Sequence, residues 1–229
     1  MRYLAVLIGA ENEYEVPGTP EFDAAIAGYD EFDRFAGDAV AWGAALHPVK
    51  QGFAVRGGVI TDGPFTEAAE VTGGLYVLTA EDLDAATELA RRIPAASDGA
   101  IELWPLAEWQ LQDPSYTENW VALLREPARD TPTPGTPDWA DGAKAHSEFG
   151  AAYGSVIRGG GALHPASAAT TVRVRGGQLL LTDGPYAEAA EVVNGLYLFE
   201  CDEDTAREVA LHLPVGAEGG VEMRPIVSM

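Results

Sequence analysis

The sequence predicts an α+β protein built from two tandem copies of one domain with a mainly antiparallel sheet. A ten-residue stretch that begins at Asp62 recurs at Asp183 with eight identical residues and a spacing of 121 residues. The same order of strand-like and helix-like segments also follows in each half. A chain of 229 residues therefore divides into two domains of roughly one hundred residues each.

The first copy is predicted to occupy residues 1–107. The helix over 21–35 is indicated by apolar residues at steps of three and four, including Phe22, Ile26 and Tyr29. Thr79 with Asp82 resembles a capping box before a second amphipathic helix that ends ahead of Pro94. β-Branched and aliphatic runs predict the strands, with a further short apolar segment at 39–46. The strands are expected at 2–8, 52–60, 74–79 and 100–104.

The second copy is predicted to occupy residues 116–229, after a short linker over 108–115 that contains Trp109. It repeats the order of the first copy, and Ala162-Leu163-His164-Pro165 echoes Ala45-Leu46-His47-Pro48. Its predicted elements are strands at 119–124, 170–175, 178–181, 195–200 and 220–224 and helices at 138–153 and 202–213.

Charge and composition exclude several classes of function. The net charge of −22 repels phosphate-rich partners, so neither nucleic acid nor an anionic membrane is an expected partner. No run approaches the roughly 18 apolar residues that a membrane span needs. A single cysteine, Cys201, permits no intramolecular disulfide, which favours a cytoplasmic location.

The candidate chemical groups each have a structural alternative. Asp-Gly-Pro is explained by turn geometry alone, since Asp caps the turn and Gly permits positive φ. His47 and His164 both precede proline without a second ligand at a suitable spacing, so we expect a loop role for them and no metal site. Tyr76 and Tyr197 line either a cavity or the core. No glycine-rich nucleotide loop is found, and no cofactor is expected.

Several motifs together resemble the YCII-related domain, also called the DGPF domain, over nearly the whole chain as two copies. The resemblance depends on Asp-Gly-Pro-Phe and Asp-Gly-Pro-Tyr with their Glu-Ala-Ala-Glu continuation, on Val-Arg-Gly-Gly, and on a closing segment with a Glu and a Pro. The first copy carries these motifs at 62–65, 55–58 and 101–105, and the second at 183–186, 174–177 and 221–225.

The resemblance implies a ferredoxin-like fold whose members pair into an α+β barrel, which the two copies here would form as an internal pseudo-dimer. Whether this pseudo-dimer pairs again is left open. The resemblance also implies a His/Asp pair, which the second copy matches with His146 and Asp183. The first copy has Tyr29 where the histidine belongs. The active centre is therefore expected in the second copy.

The leading hypothesis is a cofactor-free acid/base enzyme of the lyase or isomerase type, acting on a small organic molecule, aromatic ones included. Its reaction would be a dehydration, an elimination or a dehydrohalogenation. His146 would transfer the proton and Asp183 would orient the imidazole. The rival is a non-catalytic module that binds a small molecule or a protein, since relatives occur beside or fused to sigma factors. The expected substrate-binding residues are His164, Tyr186, Asp62, Phe65 and Tyr29.

Overall fold

A computed structural model describes residues 1–10, 19–63, 70–112, 119–186 and 191–227. Twelve strands and five helices occur in these ranges. The strands are β1 (Arg2–Ala10), β2 (Val40–Ala45), β3 (Phe53–Arg56), β4 (Val59–Asp62), β5 (Glu70–Thr79), β6 (Ala100–Leu111), β7 (Trp120–Pro127), β8 (Ile157–Leu163), β9 (Thr170–Arg175), β10 (Gln178–Asp183), β11 (Glu191–Phe199) and β12 (Gly220–Pro225). The helices are α1 (Pro20–Ala36), α2 (Leu83–Ala90), α3 (Ala95–Asp98), α4 (Pro137–Tyr153) and α5 (Glu203–His212), with short 3-10 turns at Gly37–Ala39, Val49–Gln51, Ala128–Asp130 and Ala166–Ala168.

The chain is α+β with antiparallel strand pairing, as predicted, but its two compact units do not coincide with its two sequence halves. Unit 1 contains β1, α1, β2, β5, α2, α3, the part of β6 up to Pro105, β9 and β10. Unit 2 contains β3, β4, the part of β6 from Leu106, β7, α4, β8, β11, α5 and β12.

Unit 1 has the strand order β2-β5-β1-β6, with β9 and then β10 added beyond β6. In the central register, Val6 lies opposite Leu75 on one side and Glu102 on the other. Its core is the apolar face of α1 and α2 packed on alternate residues of the strands, with Phe32 and Ile93 almost fully buried.

Unit 2 repeats this order as β8-β11-β7-β12. The end of β6 pairs with β8 at one edge, and the β3–β4 hairpin pairs with β12 at the other. Its core contains Phe149 of α4 and Phe199 of β11, which meet edge to face with ring centroids 6.5 Å apart.

Each β-hairpin belongs to the unit that holds most of the other repeat. The β3–β4 hairpin comes from the first repeat and lies in unit 2, whereas β9–β10 comes from the second and lies in unit 1. The sequence predicted one strand over 52–60, and the structure corrects this to two strands. Gly57 and Gly58 both have positive φ, 56° and 76°, which reverses the chain in a two-residue turn.

Side-chain caps fix where the helices begin. Thr19 and Thr136 accept a hydrogen bond from the third residue after them, and each precedes a proline at the first helical position. The predicted cap at Thr79 was wrong, because Thr79 ends β5 and Asp82 caps α2 by accepting from Ala85 N at 2.9 Å.

Two further differences concern segments that sequence patterns described poorly. Residues 108–111, assigned to the linker, continue β6 because they pair with β8, and residues 113–115 of that linker lie outside the described ranges. The repeat boundaries stay a prediction. Strand β8 was not predicted, because Gly159, Gly160 and Gly161 have low strand propensity. None of the described helices is long and apolar enough to cross a membrane.

Candidate functional site

Unit 2 contains a cavity of about 550 Å³, a size within the range of pockets that hold small organic ligands. Its lining comes from α4, β8, β11, the end of β6 and the loop at 131–132. Part of the cavity wall is therefore built from the glycine-rich strand β8, which the sequence did not predict. The side chains of His146, Trp139, Tyr197 and Glu108 belong to its lining.

Small residues on α4 make room for this cavity. Adding 117 to a residue number in α1 gives its counterpart in α4, because the two helices have equal length and matching caps. Ala143 and Gly150 line the cavity, and their counterparts in unit 1 are Ile26 and Asp33. The second repeat therefore has less side-chain volume on the lining face of this helix.

The same contrast is found between β8 and β2. The pairing of Tyr197 with Gly160 in unit 2 matches that of Tyr76 with Gly43 in unit 1, which aligns the two strands. In this alignment the cavity-lining Gly159 corresponds to Trp42. The two helix positions favour open space in unit 2, whereas the space beside Gly159 is filled by Leu111 and Leu198, whose Cδ1 atoms would lie 3.1 and 3.2 Å from a Cβ there.

His146 contacts Tyr197 inside this cavity. The Nδ1 atom of His146 lies 3.1 Å from the Tyr197 hydroxyl, and the two ring centroids are 5.8 Å apart. Phe149, one turn further along α4, packs edge to face on the same tyrosine. Glycine is needed beneath the tyrosine, because a Cβ at Gly160 would lie 2.9 Å from the Leu196 carbonyl oxygen and 3.3 Å from Tyr197 Cδ1.

Burial sets the protonation of this pair. Desolvation lowers the pKa of His146, so the imidazole is neutral at pH 7. Desolvation, followed by the negative charge of Glu108, raises the pKa of Tyr197 to about 12, so the phenol keeps its proton. The contact is therefore a hydrogen bond between two neutral groups, which leaves His146 Nε2 for a ligand.

The structure assigns His146 and Asp183 to different units. Asp183 ends β10 in unit 1 and is exposed, and the turn after it is fixed by Gly184 N, which donates to Ala169 O at 2.9 Å. The unit that contains His146 contains the other Asp-Gly-Pro aspartate, Asp62. The Asp62 carboxylate accepts a hydrogen bond from Arg207 at 2.9 Å on the surface. The His146–Asp183 pairing stays a prediction.

The predicted substrate-binding residues lie in several places. Tyr29 packs against the core of unit 1, and the backbone N–H of Tyr186, also in unit 1, donates to Glu102 at 2.9 Å. His164 follows β8 in unit 2 and is half-buried. Phe65 lies outside the described residues. The described ranges contain no group of three or more His, Cys, Asp or Glu side chains arranged to hold a metal ion.

Sequence reasoning missed Glu108 and Trp139 and left Tyr197 open as core or cavity. Glu108 had been assigned to the linker, and Trp139 carries no motif. A signal was nevertheless present in the three consecutive glycines at 159–161, since glycine inside a strand marks a close approach to it.

Comparison with known proteins agrees with the repeat. Residues 4–110 and again residues 121–229 match the YCII-related domain. An uncharacterized protein of Rhizobium meliloti (strain 1021) is 39% identical over 69 residues, a match that covers 28% of this chain and 54% of the relative. The chain thus spans about half the length of that relative. Because the two domain matches together cover most of the 229 residues, this chain belongs to the YCII-related domain family as two tandem copies.

Proposed function

We propose that the cavity of unit 2 binds a small organic molecule and that His146 removes a proton from it in a cofactor-free elimination, dehydration or isomerisation. The observation that carries this proposal is the neutral imidazole of His146 in the cavity, hydrogen-bonded to Tyr197. A neutral imidazole is a competent base near pH 7.

Tyr197 orients this base. When Nδ1–H of His146 donates to the tyrosine oxygen, the lone pair of Nε2 is available for a substrate proton. The negative charge of Glu108 helps to keep the phenol protonated. Tyr197 is thus a positioning residue in this proposal.

A general-base probe tests the proposal without knowledge of the natural substrate. Opening of 5-nitrobenzisoxazole needs only a base that removes the proton of its isoxazole ring: the C–H and N–O bonds break, a nitrile forms and the product is a coloured cyanophenolate. We expect the wild type to catalyse this reaction and His146→Gln to reduce kcat/KM by about 100-fold or more, since general-base catalysis typically contributes 10²–10⁴-fold. Tyr197→Phe should shift the pH profile as well as lower the rate.

Two control variants make the result specific. His212→Ala removes a surface histidine from the same unit and should leave the rate unchanged. Tyr29→His places a histidine at the counterpart position in unit 1, where Ile26 and Asp33 replace small residues, and should add no rate. A wild-type rate no higher than that of His146→Gln would refute the acid/base role.

The alternative is a non-catalytic ligand-binding module, for which the pair Tyr29 and Tyr76 in unit 1 gives some support. Unit 1 has Tyr29 in place of His146, so its equivalent pair contains no imidazole. Saturable ligand binding to the cavity without any His146-dependent proton transfer would favour this alternative.

We further propose a ferredoxin-like arrangement for each repeat and pairing of the two repeats as an internal α+β barrel, in the cytoplasm. The strand order β2-β5-β1-β6 and its repetition as β8-β11-β7-β12 support the first part. The family resemblance supports the second. An experimental structure together with a solution mass would test the barrel and any further homodimer, and cell fractionation would test the location.

A further inference from the structure

We propose that the ligand of the unit 2 cavity is an organic cation, a protonated amine carried on a flat ring-containing skeleton, and that Glu108 selects for its charge. This inference rests on the proposed function only in using the same cavity. It names a ligand class and a specificity-determining residue.

The charges of the lining residues favour a cationic ligand, which is the first step towards the proposed class. Glu108 is a carboxylate at the cavity wall, and the described lining contains neither lysine nor arginine. A carboxylate or phosphate ligand would therefore meet one negative charge and no positive one. The net charge of −22 adds a long-range preference for cations.

A hydrogen-bond acceptor that lacks a donor carries the second step. Asn194 lines the cavity, and its Oδ1 is buried without a hydrogen-bond partner in the described ranges. The Asn194 amide is oriented by its Nδ2, which donates to Glu126 at 2.6 Å, so the oxygen is the unsatisfied end. An unsatisfied buried acceptor favours a ligand with an N–H donor.

Aromatic rings carry the third step. Trp139 and Tyr197 are the two aromatic side chains of the described lining apart from His146, and aromatic faces attract cations and stack on rings. The cavity therefore offers a carboxylate for the ammonium and apolar surface for the ring.

Three probes of similar size test this class by titration calorimetry: 2-phenylethylamine as the cation, 2-phenylethanol as the neutral analogue and phenylacetate as the anion. We expect the wild type to bind the amine best and phenylacetate least. Glu108→Gln should weaken amine binding by roughly threefold to tenfold, because exposed ion pairs contribute modestly, and leave alcohol binding unchanged. Glu208→Gln removes the same charge from α5, outside the cavity, and should change neither affinity.

Phenylacetate binding as tight as amine binding would overturn the proposal. An equal loss of amine and alcohol affinity in Glu108→Gln would also overturn it, as would the absence of binding by all three probes. The outcome of this binding test is independent of the acid/base proposal, because charge selection does not depend on His146. Failure of the elimination assay with preserved amine selectivity would remove only the catalytic role, and the reverse pattern would remove only the ligand class.

Discussion

Units 1 and 2 share one strand order and one pair of capped helices, yet they use equivalent positions differently. In unit 1, Glu102 accepts hydrogen bonds from Trp104 Nε1 at 3.1 Å and from the backbone N–H of Tyr186 at 2.9 Å. Both donors are neutral. The glutamate thereby holds the end of the β9–β10 hairpin segment that comes from the other repeat.

In unit 2, the equivalent Glu222 is enclosed by cations. It accepts from Arg125 at 2.8 Å and from Arg224 at 3.1 Å, and Arg224 in turn donates to His47 O. Burial alone would raise the pKa of Glu222, but the two arginines outweigh burial and lower the pKa, so the carboxylate stays ionised. The contrast teaches that the same backbone plan accommodates, at equivalent positions, a partly buried glutamate with neutral donors and a buried glutamate with arginine donors.

The largest expected effect distinguishes Glu222, which has arginine donors, from Glu102, which has neutral donors. Glu222→Gln should lower the free energy of unfolding by about 3–5 kcal/mol, because it leaves buried guanidinium groups without their counter-charge. Glu102→Gln should cost only about 1–2 kcal/mol, since it weakens hydrogen bonds to neutral donors. Urea unfolding at pH 7 measures both losses, and equal losses would contradict the distinction.

A medium effect concerns the arginines that anchor the two hairpins. Arg175 donates to the carbonyls of Ala96, Ser97 and Gly99 in unit 1, whereas the half-exposed Arg56 pairs with the Glu191 carboxylate in unit 2. Arg175→Ala should lower the free energy of unfolding by about 1–2 kcal/mol, and Arg56→Ala should lower it by about 0.5–1 kcal/mol.

Salt distinguishes the two anchors. The Debye length falls from about 10 Å at 0.1 M NaCl to about 3 Å at 1 M NaCl. Raising the salt between these values should reduce the loss of unfolding free energy caused by Arg56→Ala more than the loss caused by Arg175→Ala. The ion pair is screened, whereas hydrogen bonds to carbonyls are screened less. The same salt dependence for both variants would show that the two hairpins are held in the same way.

The smallest effect is the pH dependence that His146 adds to unit 2. Because burial lowers its pKa, the folded chain binds fewer protons than the unfolded chain between the two pKa values. This histidine therefore costs no stability above its ordinary pKa of about 6.5, and it destabilises the fold as the pH falls through the lowered value.

A double comparison isolates this effect. Urea midpoints of the wild type and His146→Gln should diverge between pH 7 and pH 5, with the wild type losing more stability in acid. Tyr29→Phe, at the counterpart position of unit 1, should give a difference from the wild type that is constant over this range, because tyrosine does not titrate there. Parallel curves for wild type and His146→Gln would contradict the assigned direction.

Local patterns were sufficient for much of the fold. The steps of three and four from Phe22 predicted α1 to within one residue at each end, and the repeated Asp-Gly-Pro stretch identified the duplication. These features depend on neighbours in sequence, so periodicity and turn chemistry report them. Family membership was likewise predicted from short motifs and is confirmed.

Strand β8 shows why other elements could not be predicted. Its glycines have low strand propensity, and only pairing with β6 and β11 makes them a strand. The cavity has the same origin, because Gly159 and Gly150 become lining only when β8 and α4 meet.

By itself the sequence determined the duplication, the family, the positions of the described helices except α3, and His146 as a residue that differs between the repeats. Only the tertiary structure decided that each hairpin joins the unit built mostly from the other repeat, so that His146 shares its unit with Asp62. Only the tertiary structure also placed Tyr197 against His146. The physical reason is that strand pairing and side-chain contacts join residues far apart in the chain, and a local pattern carries no information about which distant strand satisfies an exposed edge.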